Sequence, residues 1–243
     1  LIPVFIRELG SSSSAAVRSN AMVVIHDLIK QNAALLDRHI PTIALALADP
    51  EPLVRHTSLL VLSQLLLEDY VKWRHCLFRG FARLLADDVA HVRNSAQVCL
   101  IDMLLPRAPS LALSSFISLL FELNGCLEHP QHSAPLPAAE LAASEMSGAE
   151  NQPKRLRVLR ALLSHMPDEQ RLQATSKLCH EVLASLLDGH LTLAKSHWVI
   201  ADALKLLACN EAKISSAAGG GSANADEADS EEPTASSAAA AAK

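Results

Sequence analysis

Three side chains that could ligate zinc stand close together near the middle of the chain. Cys126, His129 and His132 have the spacing C-x2-H-x2-H, and thiolate and imidazole are ligands that zinc prefers in proteins. The group lies at the start of a Pro-rich stretch, however, and has no evident fourth ligand. The sequence therefore predicts no metal site and no other cofactor.

Other arrangements that could support catalysis are weak. The Gly-Gly-Gly-Ser run at 219–222 is not followed by Gly-Lys-Ser/Thr, so it is interpreted as a linker and not as a phosphate-binding loop. The scattered histidines have no acidic partner at catalytic spacing and are interpreted as solvated or capping residues: His26, His39, His56, His75, His91 and His165. We expect neither enzymatic activity nor a small-molecule substrate.

Two clusters of basic residues could contact phosphate. They comprise Lys72, Arg74, Arg79 and Arg83 in one segment, and Lys154, Arg155, Arg157 and Arg160 in another. The second cluster begins a predicted helix, where positive charge opposes the helix dipole and so does not serve helix stability. Both clusters are candidate contacts to the DNA backbone, which would be insensitive to base sequence, and the alternative is a solvated helix face.

The overall charge limits what such contacts can be. The formal net charge is −5, and the acidic run within 226–232, set against Lys243, accounts for −4 of it. A nearly neutral region at 1–213 excludes a strongly basic nucleic-acid-binding domain, so any DNA contact must come from a local patch. The five cysteines lack C-x-x-C spacing, which favours a reducing compartment.

A repeat organises the first half of the chain. The stretch LADPEPLVRHTSLLVLSQLL at 47–66 returns as LADDVAHVRNSAQVCLIDML at 85–104, and GSSSSAAVRSNAMVVIHDLI at 10–29 is a third copy. Their Val-Arg pairs recur at intervals of 37 and 38 residues. Apolar residues recur three and four apart within each copy, which is typical of a helix with one buried face.

The elements that must position these side chains are therefore helices. We predict helices near 2–9, 15–31, 37–48, 51–68, 70–87, 89–105 and 109–125, followed by three helical segments after Pro153. A helical hairpin of about 40 residues cannot bury its apolar face alone, so the hairpins must stack. No apolar run reaches the roughly 18 residues that a membrane span requires.

This reading divides the chain into four parts. Residues 1–125 form stacked antiparallel hairpins of an all-α solenoid, and residues 153–213 add further helical repeats. Between them, residues 126–152 form an inserted flexible loop, because prolines and small residues interrupt the periodicity. Residues 214–243 form a disordered acidic and Ala-rich tail, because they lack the large apolar residues of a core.

The repeated pattern resembles the HEAT repeat, in which a turn aspartate is followed by a valine and an arginine at the start of the second helix. That resemblance implies a structural ladder of acid and arginine side chains across successive hairpins. Its members are Arg18, Asp49, Arg55, Asp87 and Arg93. Ser12 replaces the aspartate of the first copy, so we expect the ladder to weaken there.

Two stretches carry a closer resemblance. AVRSNAMVVIHDL at 16–28 resembles the "VR-x-N" signature of the non-SMC HEAT subunits of condensin, with His26 where that family typically has Gly. DPEPLVRHTSLLVLSQLLLEDYVKWR at 49–74 resembles the repeats that follow it in that family. Tyr-Val-Lys-Trp at 70–73 and Leu-Phe-Arg at 77–79 are most similar to the D-type subunit of condensin II.

The resemblance implies a function that the periodicity does not. It implies a non-catalytic scaffold that binds the kleisin and SMC subunits of condensin, together with double-stranded DNA and chromatin, during mitotic chromosome condensation. It also implies localisation in the nucleus on chromosomes, with no membrane contact. The alternative is a HEAT scaffold of the transport or phosphatase type, which would bind protein cargo without DNA.

Overall fold

The predicted all-α architecture is confirmed. The structure is a computed structural model that describes residues 2–126, 128–129, 131–132, 137–144 and 146–213. All regular secondary structure in these residues is helical. No helix among them is both long and apolar enough to cross a bilayer.

Ten of the helical segments pair into five successive antiparallel hairpins. The first hairpin pairs α1 (Ile2–Ser11) with α2 (Ala15–Leu36). The second pairs α3 (Ile40–Ala44), which the 3-10 segment Leu45–Ala48 extends, with α4 (Pro52–Leu67). The third pairs α5 (His75–Leu84) with α6 (Ala90–Ala96), which the π-helical segment Gln97–Leu104 continues. Helix α7 (Leu111–Leu123) begins the fourth hairpin and α8 (Ala138–Ser144) lies in its connection to α9 (Gln152–His165). The fifth hairpin pairs α10 (Asp168–Lys177, continued by the π-helical segment Leu178–Leu183 and by α11, Ala184–Leu187) with α12 (Leu193–Leu207).

The second helices of the hairpins stack in order. Helix α2 packs on α4, α4 packs on α6, the π-helical continuation of α6 contacts α9, and α9 packs on α12. Their inward faces are leucine-rich, and Leu62, Leu100 and Leu159 are fully buried in one continuous core. The hairpins thus bury one another's apolar stripes, as a stack of short repeats must.

The helix that carries the first basic cluster starts later than predicted. Instead of beginning at residue 70, α5 begins at His75, because the chain reverses at the end of α4. Asp69 adopts a positive φ of 59°, and the Tyr70 N–H donates to the Leu65 carbonyl, which is the hydrogen-bond pattern of a Schellman-type helix end. Lys72 and Arg74 therefore lie in a connecting segment and not on a helix face.

The insertion contains more structure than the sequence indicated. The prediction of a loop throughout 126–152 is wrong for residues Ala138–Ser144, which form α8 and pack against α5. Glu140 of α8 accepts a hydrogen bond from Arg79 Nη2 at 2.6 Å, and Met146 is buried. The predicted tail at 214–243 lies outside the described residues, as do 127, 130, 133–136 and 145.

Candidate partner and nucleic-acid interface

Arginines at the start of the second helices join neighbouring hairpins. Arg18 donates from Nε and Nη2 to the two carboxylate oxygens of Asp49, both at 2.7 Å. Arg55 makes the same bidentate contact to Asp87, at 2.7 and 2.9 Å. Such paired contacts fix geometry as well as charge, so each one holds a helix against the turn of the next hairpin.

The third guanidinium nitrogen of each arginine binds its own hairpin. Arg18 Nη1 donates to the Ser12 carbonyl at 2.8 Å, and Arg55 Nη1 donates to the Asp49 carbonyl at 2.9 Å. Asp49 also accepts the Glu51 N–H at 2.8 Å, which closes the turn before α4. One side chain therefore connects two consecutive turns, through a bidentate ion pair to one turn and a hydrogen bond to a carbonyl of the other.

The series stops at the third arginine. Arg93 Nη1 donates to the Asp87 carbonyl at 2.6 Å, but no carboxylate among the described residues pairs with this side chain. In the next hairpin, Arg155 Nη1 donates to the carbonyls of Met146 and Gly148 at 2.7 and 2.8 Å, and the φ of 92° at Gly148 suits a residue without Cβ. The position six residues before Arg155, which corresponds to Asp49 and Asp87, is Ala149, so the aspartate of the pattern is missing there.

Arg155 was predicted to contact phosphate, and that prediction is wrong, because the side chain is buried in an ion pair. It is the fourth residue of α9, as Arg18, Arg55 and Arg93 are of their helices. Its side chain is 0% exposed and donates from Nε to Asp202 Oδ2 at 2.6 Å. The sequence signal was a helix start near Pro153, which only α4 shares among the other three helices, and Arg155 lacks the preceding valine of Arg18, Arg55 and Arg93.

Asp202 was not identified from the sequence. It lies on α12 and not in a turn, and its side chain is also 0% exposed. Asn124 and Gln152 donate to its two carboxylate oxygens at 3.1 and 2.8 Å. No periodic signal marks this residue, because it is brought to Arg155 by the packing of α9 on α12.

Two more of the predicted phosphate contacts are largely withdrawn from the surface. Arg79 is 4% exposed and contacts Glu122 and Glu140, so phosphate contact is wrong for this residue too. Arg83 is mostly buried, and burial lowers the pKa of its guanidinium, with Arg55 adding to the effect. It lines a cleft of about 250 Å³ that also contains Asp87 and Lys154.

The remaining basic residues are more accessible. Lys72 is exposed, whereas Arg74 pairs with Asp37 at 2.5 Å and Lys154 pairs with Asp88 at 2.6 Å. Lys154 lowers the pKa of the Asp88 carboxyl. Residues of α9, of α12 and of the segment that follows α12 line a depression of about 510 Å³, which we call the basic groove. The lining residues are Gln152, Pro153, Leu156, Arg157, Arg160, Lys205 and Glu211.

An exposed apolar stripe crosses the second helices of the first three hairpins, with one residue on each helix. Val23, Leu60 and Val98 each lie five residues after a ladder arginine, and they are 46%, 46% and 49% exposed. Because α2, α4 and α6 with its π-helical continuation stack in order, these residues recur once in each layer. We call this set the apolar stripe, and sequence analysis missed it although the repeat period marks it.

The residues with zinc-ligand spacing have other partners. The rings of His129 and His132 lie 4.7 Å apart between centroids, and both contact the Phe121 ring. His132 Nε2 lies 2.8 Å from Glu181, while burial raises the pKa of the Cys126 thiol. No group of three or more ligating side chains in the described part of the chain is placed to hold a metal ion.

The fold and these contacts define a class of protein. Stacked antiparallel hairpins whose layers are joined by repeated arginine and aspartate contacts constitute a HEAT-repeat solenoid. Solenoids of this class have extended surfaces along the stack, to which other macromolecules can bind.

Comparison with known proteins gives the family. The sequence profile of the family described as non-SMC mitotic condensation complex subunit 1 matches residues 16–192. The chain therefore belongs to this family, and the resemblance to D-type condensin II subunits is confirmed. The match includes all four arginines at the fourth position of a second helix, namely Arg18, Arg55, Arg93 and Arg155.

Individual relatives agree with this assignment. The chain is 34% identical over 221 residues to condensin-2 complex subunit D3 of Mus musculus and 32% identical over 217 residues to subunit D3-L of Xenopus laevis, covering 88% of this chain and 14% of each relative. It is 34% identical over 232 residues to condensin-2 complex subunit CAP-D3 of Arabidopsis thaliana, covering 93% of this chain and 18% of the relative. The chain thus spans less than one fifth of the length of these relatives, and no solved structure matches it.

Proposed function

We propose that this chain is a segment of a non-catalytic HEAT-repeat scaffold in a condensin complex. It binds the kleisin and SMC subunits and double-stranded DNA on chromosomes in the nucleus, during mitotic chromosome condensation. The match to the family of mitotic condensation subunits supports this function over the transport or phosphatase type of HEAT scaffold. The observation that carries the partner-binding role is the apolar stripe.

The apolar stripe suits a segment of another protein chain. Stacked helices lie about 8–10 Å apart, so Val23, Leu60 and Val98 offer three apolar contacts at regular intervals. Exposed polar residues border the stripe four positions further along each helix, namely Asp27, Gln64 and Asp102. An amphipathic segment with apolar anchors and basic flanks complements such a surface, and we assign this role to the kleisin.

Direct binding of purified kleisin to the chain tests this assignment. Changing Val23, Leu60 and Val98 together to Asp places charge where anchors should be buried, and we expect affinity to fall by a factor of about 100. Because these side chains are already half-exposed, the fold should remain stable. Leu172→Asp, at an exposed apolar position on α10, is the matched control and should bind normally.

Equal kleisin affinity of the triple variant and the native chain would contradict the assignment. So would an equal loss in the triple variant and in Leu172→Asp, because that result would indicate a general effect of added negative charge. Circular dichroism of both variants verifies that helical content is unchanged.

The basic groove suits the DNA backbone. Arg157 is exposed, and neither Arg157 nor Arg160 forms an ion pair among the described residues. The groove also includes the first residues of α9, where the positive end of the helix dipole favours an anion. Lys72 is exposed at the other basic segment and is the second proposed contact, whereas Arg155 and Arg79 are excluded by their burial.

The salt dependence of duplex DNA binding tests the phosphate contacts. In the variant Arg157→Gln/Arg160→Gln we expect the slope of log affinity against log salt to fall in magnitude by about 2. Arg7→Gln/Arg38→Gln removes the same charge at exposed positions of the first and second hairpins and is the control. An unchanged slope in the first variant, or an equal change in both, would overturn the groove contact.

A further inference from the structure

The basic groove carries an excess of positive charge. Arg157, Arg160 and Lys205 line it, and Glu211 is the one carboxylate among the described residues that line it. Lys205 donates to the side-chain oxygen of Gln152, which is neutral and so leaves the ammonium charge uncompensated. Three cations facing one anion in a depression of about 510 Å³ form a site for a further anion.

One buried donor in the groove lacks an acceptor. Arg160 Nε is buried and has no hydrogen-bond partner among the described residues. Helix α9 adds little to this, because the Gln152 N–H already donates to the Ala149 carbonyl, Pro153 has no N–H, and the Arg155 N–H donates to the Asn151 carbonyl. A buried donor without an acceptor is costly, and a bound carboxylate or phosphate would satisfy Arg160 Nε.

The chain leaves the described structure beside this groove. Glu211 lines the groove in the 3-10 segment Asn210–Ala212, which packs against α9, and Lys213 is the last described residue. The sequence that follows contains five acidic residues within 226–232, namely Asp226, Glu227, Asp229, Glu231 and Glu232. The groove and this acidic segment therefore have opposite charge and are joined by a short stretch of the same chain.

The connecting sequence is long enough to reach the groove. Residues 214–225 are mostly Gly, Ser and Ala, and a segment of that composition and length spans about 20 Å on average. A tether of this kind keeps its end at an effective concentration on the order of 1 mM near the attachment point. Even a weak charge-based contact would then be substantially occupied.

We propose that the acidic segment 226–232 binds in the basic groove of its own chain. Its carboxylates accept hydrogen bonds from the Arg160 and Arg157 guanidinium groups and from the Lys205 ammonium. Because these are the same donors that we assign to DNA phosphate, the bound segment screens the groove from DNA. That consequence rests on the proposed function, whereas the intramolecular contact does not.

Nuclear magnetic resonance of the full 243-residue chain tests the contact. The test variant replaces all five acidic residues of the segment by Asn or Gln, and the control neutralises five exposed acids elsewhere: Glu51, Asp102, Glu150, Glu169 and Asp188. We expect the amide resonances of Arg157, Arg160 and Lys205 to shift in the test variant and to remain in place in the control. Unshifted groove resonances in the test variant, or the same shifts in both variants, would overturn the proposal.

DNA binding by the same proteins separates this inference from the proposed function. Neutralising the segment should increase duplex affinity about two- to fivefold, and the increase should disappear in the Arg157→Gln/Arg160→Gln background. Shifts of the groove resonances without DNA binding by any variant would support the intramolecular contact and contradict the DNA contact. A gain in affinity that persists in the Arg157→Gln/Arg160→Gln background would contradict screening of the groove.

Discussion

The first three hairpins and the last two use the same arginine position in different ways. In the first region, the side chains of the Arg18–Asp49 pair are 10% and 7% exposed and those of the Arg55–Asp87 pair are 12% and 6% exposed. In the second region, both side chains of the Arg155–Asp202 pair are 0% exposed. Position in the helix determines where the guanidinium lies, and the surrounding layers determine how deeply it is buried.

The difference has an energetic consequence. A pair at the rim of the stack retains some contact with water, so loss of one member is partly compensated by hydration. A fully buried guanidinium has no such compensation, and removal of its carboxylate leaves an unpaired charge in the interior. We therefore expect the two regions to respond unequally to the same substitution.

Asp202→Ala should produce the largest loss of stability. Arg155 would remain buried without its carboxylate, and Asn124 would lose an acceptor, which together should reduce the free energy of unfolding by about 3–5 kcal/mol. Urea unfolding followed by circular dichroism measures this loss. The control is Asp188→Ala at an exposed position. A loss below about 1 kcal/mol for Asp202→Ala would contradict the claim that the buried pair is more sensitive than the pairs of the first region.

Asp87→Ala should have an intermediate effect. The substitution removes the bidentate acceptor of Arg55 and the acceptor of the Val89 N–H, and we expect a loss of about 1.5–3 kcal/mol. The adjacent Asp88→Ala provides the comparison, because the Asp88 side chain is 78% exposed and, in the described part of the chain, forms an ion pair with Lys154 alone. Equal losses from the two neighbours in urea unfolding would show that the ladder contact contributes nothing specific.

Acidification should reduce the free energy of unfolding through the fourth and fifth hairpins, by less than the two substitutions above. Burial lowers the pKa of His129 below its ordinary value of 6.5, and the neighbouring His132 and His190 also lower it, while Glu181 acts in the opposite direction. Its Nδ1 accepts the Gln131 N–H at 3.1 Å, so this nitrogen must be unprotonated. Protonation would remove the acceptor and add a buried charge.

The sign follows from that lowered pKa. As pH falls below 6.5, the unfolded chain takes up the proton before the folded chain does, so stability declines with decreasing pH. Between about pH 7.5 and about pH 5.5 we expect His129 to account for a loss of about 1 kcal/mol, comparable to one hydrogen bond. His129→Gln should reduce the pH dependence of urea unfolding, whereas His197→Gln, at an exposed position, should leave it unchanged.

Sequence reasoning succeeded where the information was local and repeated. The period of 37 and 38 residues indicated stacked hairpins, and the predicted helix end at residue 31 lies beside Asn32, whose non-helical dihedral angles interrupt α2. It failed where distant segments meet. In the sequence, Arg155 resembles a surface residue of a basic cluster. In the structure, the packing of α9 on α12 brings it into contact with Asp202, which lies 47 positions later.

The insertion shows the same limit in another form. Prolines and small residues at 126–152 indicated a loop, but Glu140 meets Arg79 across 61 positions and α8 forms against α5. A short helix of seven residues is weak in isolation, so its stability comes from packing that a local pattern does not contain. The apolar stripe was visible in the repeat period, and its significance depended on knowing which helix face is exposed.

The most direct test of the scaffold function is co-precipitation of the tagged chain from mitotic nuclear extract, with mass spectrometry of the recovered proteins. The native chain should recover kleisin and SMC subunits of condensin, and the variant with Asp at positions 23, 60 and 98 should lose the kleisin. Leu172→Asp should recover the same subunits as the native chain. Recovery of transport or phosphatase components without condensin subunits would contradict the proposed function, while leaving the helical stack unaffected.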